Sequence, residues 1–330
     1  MGTIREKHPD IPHEAKRAPN KAWLRLITIA LTVLFLAAIF WRIPFRNFWT
    51  ALGAARILPF LLLTGVFNLV WCLTDTFILT KMVQWFHGPV RFSELLPVRA
   101  TSYLFSVINM QLAQGAMALY INRRFRTPLG EISSTVVMLV LLEVTKLICF
   151  AAAGFVAFPG GVPPVFLAAA VGTALAWCGL LGLAGGESTL GRVAAGIPLL
   201  HTFRRATSAQ VLSILGLKGG LFLLSVLVHH QALRFFGIEI PLGALLAFLP
   251  VVYFVIALPI TVAHLGTAQA AWIFLFGSYA PAADLLAYSL AYQASFVLAQ
   301  VVLGLIFLPR AYQDLFGRAR ADRPAVATTP

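Results

Sequence analysis

Eight apolar runs take up most of this chain, at residues 24–41, 57–80, 93–121, 131–157, 163–184, 208–234, 242–276 and 282–309. Crossing a bilayer takes ~20 apolar residues, because in lipid each backbone N–H and C=O must find its partner inside the protein. Six runs have the length of one crossing. The runs 93–121 and 242–276 are longer, and each is broken in its second half by polar residues, glycine or proline. Composition agrees: 11% of the residues are charged and 59% hydrophobic, whereas a soluble domain is about a quarter charged. The expected fold class is therefore an all-α polytopic membrane bundle of six full spans and two re-entrant hairpins.

The net charge of +13 would suggest nucleic acid as the partner of a soluble protein. Here the cations sit at the ends of the apolar runs, with no basic-aromatic platform between them, so no nucleic acid is expected. They read instead as orientation signals and contacts to anionic head groups. Cys72, Cys149 and Cys178 all fall inside apolar runs, too scattered for a disulfide framework or a zinc site. No metal and no cofactor is expected. Residues 1–22 read as a basic cytoplasmic tail, 23–316 as a single transmembrane domain, and 317–330 as a disordered cytoplasmic tail. The first apolar run is too long for a signal-peptide core and reads as a retained span.

Charge asymmetry bears on the long runs. If 93–121 crossed once, the basic loops 81–99 and 122–130 would face opposite sides. If it dips in and returns, both termini and the segments 81–91, 122–130 and 185–207 all lie in the cytoplasm. Treating 242–276 in the same way leaves "FPGGVPP", "FFGIEIP" and "GSYAPAAD" outside, almost without lysine or arginine. The loop 42–56 falls outside despite Arg42, Arg46 and Arg56; "RIPFRNFWTALGAAR" reads as an interfacial amphipathic helix with snorkelling arginines.

An internal repeat supports the same organisation. "WFHGPVRFSELL" at 85–96 resembles "FFGIEIPLGALL" at 235–246, and "INMQLAQGAMALY" aligns with "PITVAHLGTAQAAW" around Gly115 and Gly266. The offset is 150 at the first pair and 151 at the glycines, and it reaches 153 where Pro128 and Glu131 correspond to Pro281 and Asp284. Each repeat, about 57–157 and 208–309, reads as span, hairpin, span. The first hairpin enters from the cytoplasm and the second from outside, the inverted arrangement common in secondary transporters. Gly115, Gly266 and Pro259 are the expected hinges.

The sequence resembles the lysylphosphatidylglycerol synthetase transmembrane-region family of flippase-like membrane proteins over most of residues 20–316. The segments that carry the resemblance are "NMQLAQG", "NRRFRTPLGEISS", "LLEVTK" and "LPITVAHLGTAQAA". Three positions depart from the family pattern. Met110 or Gln111 stands where proline is usual, Val144 replaces the arginine beside Glu143, and Gln269 stands where an acid is usual. The resemblance implies translocation of a lipid or lipid-linked substrate, or an accessory role in envelope-lipid assembly, without the soluble synthetic domain. No enzyme activity is expected.

The candidate substrate-binding residues follow from cost. Glu143 and Lys146 lie near mid-depth of the fourth run, and an ionised group there costs about 2.5–3.5 kcal/mol even on lenient scales. Their i, i+3 spacing puts them on one face, either as a head-group or proton-coupling site or as a lock between helices. Lys218, in "KGG", is equally deep and has either a lipid phosphate or an internal acid as partner. Asn109, Gln111 and Gln114 at the first expected tip, and His264 and Gln269 at the second, either bind substrate or satisfy freed backbone groups. Asp75 is expected to pair with Lys81 or to snorkel. His229–His230 is not expected to hold metal. Tyr288, Tyr292, Gln293 and Gln300 either line a polar path or tie helices together. "HExxH", "GxSxG" and a Walker-type loop are all absent, which excludes an ATP-driven pump within the chain.

Three functions remain open. The first is flipping of a phospholipid or lipid-linked anion between leaflets. The second is secondary transport of a small solute. The third is a non-transporting scaffold for an envelope-lipid biosynthetic enzyme. Anionic membrane lipids are the expected partners, homo-oligomerisation is left open, and a bacterial inner membrane is the expected location.

Overall fold

The computed structural model describes residues 43–108, 110–157, 164–184, 196–257 and 265–313, together with a few positions between 30 and 41. The described residues are helical, with no strand among them. Four helices are long and apolar enough to cross a membrane: α2 (Ile57–Phe86), α5 (Leu129–Ala157), α8 (Ser208–Arg234) and α11 (Ala282–Tyr312). At 1.5 Å per residue the 30 residues of α2 measure about 45 Å. α6 (Pro164–Ala184) is a fifth apolar helix, and α1 (Phe45–Ala54) is the short amphipathic one. Phe48 of α1 and Ile43 just before it pack against Leu286 and Ala287 of α11, while Phe45 and Trp49 stay exposed. Most of the first apolar run lies outside the described residues.

Each of the two long runs forms two helices. The first gives α3 (Phe92–Ile108) and α4 (Met110–Phe125), the second α9 (Leu242–Ala257) and α10 (Thr267–Phe276). None of the four reaches the ~20 residues of a crossing. α3 and α4 pack on each other, and Glu94 at the start of α3 lies 3.5 Å from Arg124 near the end of α4. The chain thus folds back, with both ends of the pair together. α9 and α10 also pack together, and Phe276 at the end of α10 meets Phe248 of α9 at 5.9 Å between ring centroids.

The first hinge expectation needs correction. Gly115 stands inside α4, not at a break. The described part of α3 ends at Ile108 and that of α4 begins at Met110; Asn109 lies outside the described residues. One glycine costs a helix only ~1 kcal/mol relative to alanine. Its neighbours Ala113, Ala116, Met117, Ala118 and Leu119 are strong helix formers, so propagation continues through it. In the second half Gly266 does stand at a boundary: its φ of 88° is one that glycine adopts without steric cost. Pro259 lies outside the described residues.

The helices α2–α5 and α8–α11 pack in matching ways. The two most extensive interfaces join α3 to α11 and α9 to α5, so each half lays the first limb of its folded pair against the last helix of the other half. α2 packs against α8 between them. Both crossings are made at glycine. A side chain at Gly154 of α5 would strike the Ala247 backbone of α9, and one at Gly304 of α11 would strike Leu104 of α3. The two ends of α2 meet different partners. Its last turn and His87 lie with the mouth of α3–α4, where His87 meets Thr135 near the start of α5. At its other end, the Arg56 N–H donates to the Phe235 carbonyl at 2.8 Å, just after α8.

Candidate functional site: a carboxylate between two lysines

α5 carries Glu143 and Lys146 one turn apart, and α8 brings Lys218 to the same point. One Glu143 oxygen accepts from Lys146 and the other accepts from Lys218 Nζ at 2.8 Å. The lysine side chains are 5% and 12% exposed, against 34% for Glu143. Lys146 Nζ also lies 5.6 Å from the centroid of the Phe222 ring on α8. The triad thus holds one negative and two positive charges. Each ammonium has three N–H donors and spends one on Glu143, leaving donors and an excess positive charge for an anion. Of the two partners open to Lys218 in the sequence, the structure supplies the internal acid.

The helix α5 is held from outside as well, by Trp177 Nε1 of α6 donating to the Thr145 hydroxyl at 2.9 Å. The remaining candidates are placed differently. Gln269 is fully buried, and its side-chain oxygen accepts from the Gly266 N–H at 2.6 Å, capping α10. Gln114 is half-buried on α4, and Gln111 lies in the first turn of that helix. Among the described residues no hydrogen bond or ion pair joins Gln114 or Gln269 to the triad. Asn109 and His264 lie outside the described residues.

Two further polar clusters lie between helices of the bundle. Asp75 of α2 does not pair with Lys81. Its Oδ2 accepts from Arg99 Nε at 2.6 Å and from the Tyr103 hydroxyl at 3.0 Å, both on α3. Lys81 Nζ instead lies 5.4 Å from the Phe77 ring centroid. A desolvated carboxylate prefers an equally desolvated cation, and Arg99 is inside α3 rather than in a loop. An apolar helix carrying Asp75 opposite another carrying Arg99 was the signal for this pair. In the second half, His229 of α8 is 1% exposed. Its Nδ1 is 2.5 Å from the Tyr288 hydroxyl and its Nε2 is 3.0 Å from that of Tyr253. Tyr292 stacks on its ring at 4.1 Å between centroids. Tyr288 and Tyr292 therefore tie α11 to α8, as the simpler sequence reading has it. No group of three or more histidine, cysteine or acidic residues placed to hold a metal occurs among the described residues.

At the end of α2 the connection between the halves is latched to α5. A 3₁₀ turn (Pro198–Leu200) leads into the short helix α7 (His201–Arg205). His87 Nε2 lies 2.8 Å from the Thr135 hydroxyl, which is 2.8 Å from that of Thr202. The His87 and His201 rings stack at 6.0 Å, with Arg205 3.1 Å from His201. Burial first, then the nearby His201 and Arg205, push the His87 pKa from 6.5 down to about 4. Between those values the unfolded chain binds the proton and the folded protein does not, so stability falls as pH drops through that window. Thermal unfolding followed from pH 7 to pH 4 is expected to show this loss, and His87→Gln to reduce it.

Length, apolarity and helix content define an integral membrane protein of the polytopic helical class. Within that class, residues 24–304 match the family model described as the lysylphosphatidylglycerol synthase TM region, and the chain belongs to that family. No curated protein and no solved structure matches it.

Proposed function

We propose that this protein moves an anionic phospholipid, or a lipid-linked anion, between the leaflets of the bacterial cell membrane, and that it does so as a translocator, not an enzyme. The observation that carries this reading is the Glu143–Lys146–Lys218 triad, in which two shielded lysines meet one carboxylate and leave one unit of formal positive charge in excess. Such a charge stays inside a membrane at a cost, and an anionic head group would relieve it. Membership of a family described by a lipid synthase's membrane region supports a lipid substrate.

The folded pairs α3–α4 and α9–α10 act as re-entrant hairpins of two inverted repeats, the first open to the cytoplasm and the second to the outside. The exchanged interfaces and the different partners at the two ends of α2 support this arrangement. Both termini are cytoplasmic. Rocking of one hairpin unit against the other would expose the triad to each side in turn.

The test is leaflet exchange of labelled lipids in proteoliposomes. Phosphatidylglycerol is expected to exchange faster than in protein-free vesicles, and faster than phosphatidylcholine. Lys218→Met is expected to slow it about tenfold. No acceleration for any lipid class, together with co-purification of a lipid-synthesising enzyme, would replace this reading with that of a scaffold.

A further inference from the structure

A cavity of about 460 Å³ lies at the mouth of the first folded pair, and no residue of the triad lines it. Its wall is the end of α2 with Gln84, the turn at residues 88–90, Arg91 and Glu94 at the start of α3, and Arg124 near the end of α4. The wall is built rather than incidental. Gln84 Nε2 donates to the Val90 carbonyl at 2.7 Å and fixes the turn. Gly88 has a φ of 142° and packs against Phe125, so a side chain there would be strained. The Arg124 guanidinium sits 5.9 Å from the Phe125 ring centroid, which holds it at the cavity.

Its charges are only partly spent. Arg124 reaches Glu94 at 3.5 Å, a long contact between side chains that are both about a third exposed. Arg91 makes no ion pair among the described residues. Two guanidinium groups against one carboxylate leave one positive charge in an open, pocket-sized space. Guanidinium presents paired N–H donors that fit two phosphate oxygens, and the volume lies within the ~300–1,000 Å³ range of small-ligand pockets.

From this we infer that the Arg91–Arg124 cavity binds a phosphate group, that of an anionic phospholipid held at the membrane surface before it reaches the triad. Arg91 and Arg124 take the phosphate oxygens. Glu94 orients Arg124 and accepts from hydroxyl or amine groups on the head group. The loading role rests on the translocation reading; phosphate binding itself does not.

The test measures binding alone. The full chain in a nonionic detergent is titrated with water-soluble dihexanoyl phosphatidylglycerol and, separately, with inorganic phosphate. Native mass spectrometry reads lipid occupancy, and calorimetry reads the phosphate arm. Arg91→Gln combined with Arg124→Gln is expected to weaken lipid binding about tenfold or more. Arg123→Gln removes one charge, where the double variant removes two, from the exposed neighbour that does not line the cavity, and is expected to change it less than about twofold. Inorganic phosphate that binds wild type but not the double variant, with no lipid bound, would keep the phosphate site and overturn its lipid assignment. Equal binding by wild type and double variant, or equal loss with Arg123→Gln, would overturn the site altogether. Intact binding beside absent leaflet exchange would sink the translocation reading and leave this one standing.

Discussion

Glu143→Gln is expected to be the most damaging single substitution in the triad, because it leaves Lys146 and Lys218 facing each other with no counter-charge. Removing one partner of a buried pair costs about 3–5 kcal/mol, most of it the penalty of the charge left behind. Here two charges are left behind. Lys146→Met and Lys218→Met each remove a cation from a site that already holds one too many, so the remaining pair is neutral. Each is expected to cost no more than the lost charged hydrogen bond, about 1.5–3 kcal/mol. Adding Lys146→Met to Glu143→Gln should recover part of the loss, because it removes one of the two like charges. Thermal unfolding in detergent orders the four variants. A Glu143→Gln protein no less stable than Lys218→Met would mean that the carboxylate is not the partner of both lysines.

Gly154→Val ranks second. A Cβ at residue 154 would sit 2.3 Å from the Cα of Ala247 and 2.9 Å from its nitrogen. These are backbone atoms that no rotamer change can move. The α5–α9 interface, one of the two largest in the bundle, would have to open. Overpacking of this kind costs about 1–3 kcal/mol and at times more, and contact with backbone places Gly154→Val at the upper end. Gly115→Ala is the opposite case. A Cβ there meets nothing within 4 Å, the backbone is helical, and alanine should gain ~1 kcal/mol. Loss of stability in Gly115→Ala would restore that glycine as a hinge and remove it from the interior of α4.

The sequence made some of this legible because the relevant signals are long and periodic. Apolar length places α2, α5, α8 and α11, and the two overlong runs do fold into four shorter helices. The exact break was not legible. Glycine is the usual break signal, yet the alanines beside Gly115 carry the helix through it, and that residue stands inside α4. Cost alone pointed to Glu143, Lys146 and Lys218, since ionised groups at that depth need partners. Their common meeting point was not visible, because Lys218 arrives from another helix, 75 residues along the chain from Glu143. Nearness in sequence points Asp75 to Lys81 or to snorkelling, whereas packing gives it Arg99. The His229 cluster draws on α8, α9 and α11, and no local pattern announces such a convergence.

The whole account depends on the folded pairs opening toward opposite faces of the membrane. Side-specific labelling tests this directly. Single cysteines are placed at Arg124, beside the mouth of α3–α4, and at the exposed Tyr279, just beyond α10, with Cys72, Cys149 and Cys178 replaced by alanine. In intact cells a membrane-impermeant maleimide should label position 279 but not 124, and in inside-out vesicles 124 but not 279. Labelling of both positions from the same side would contradict it.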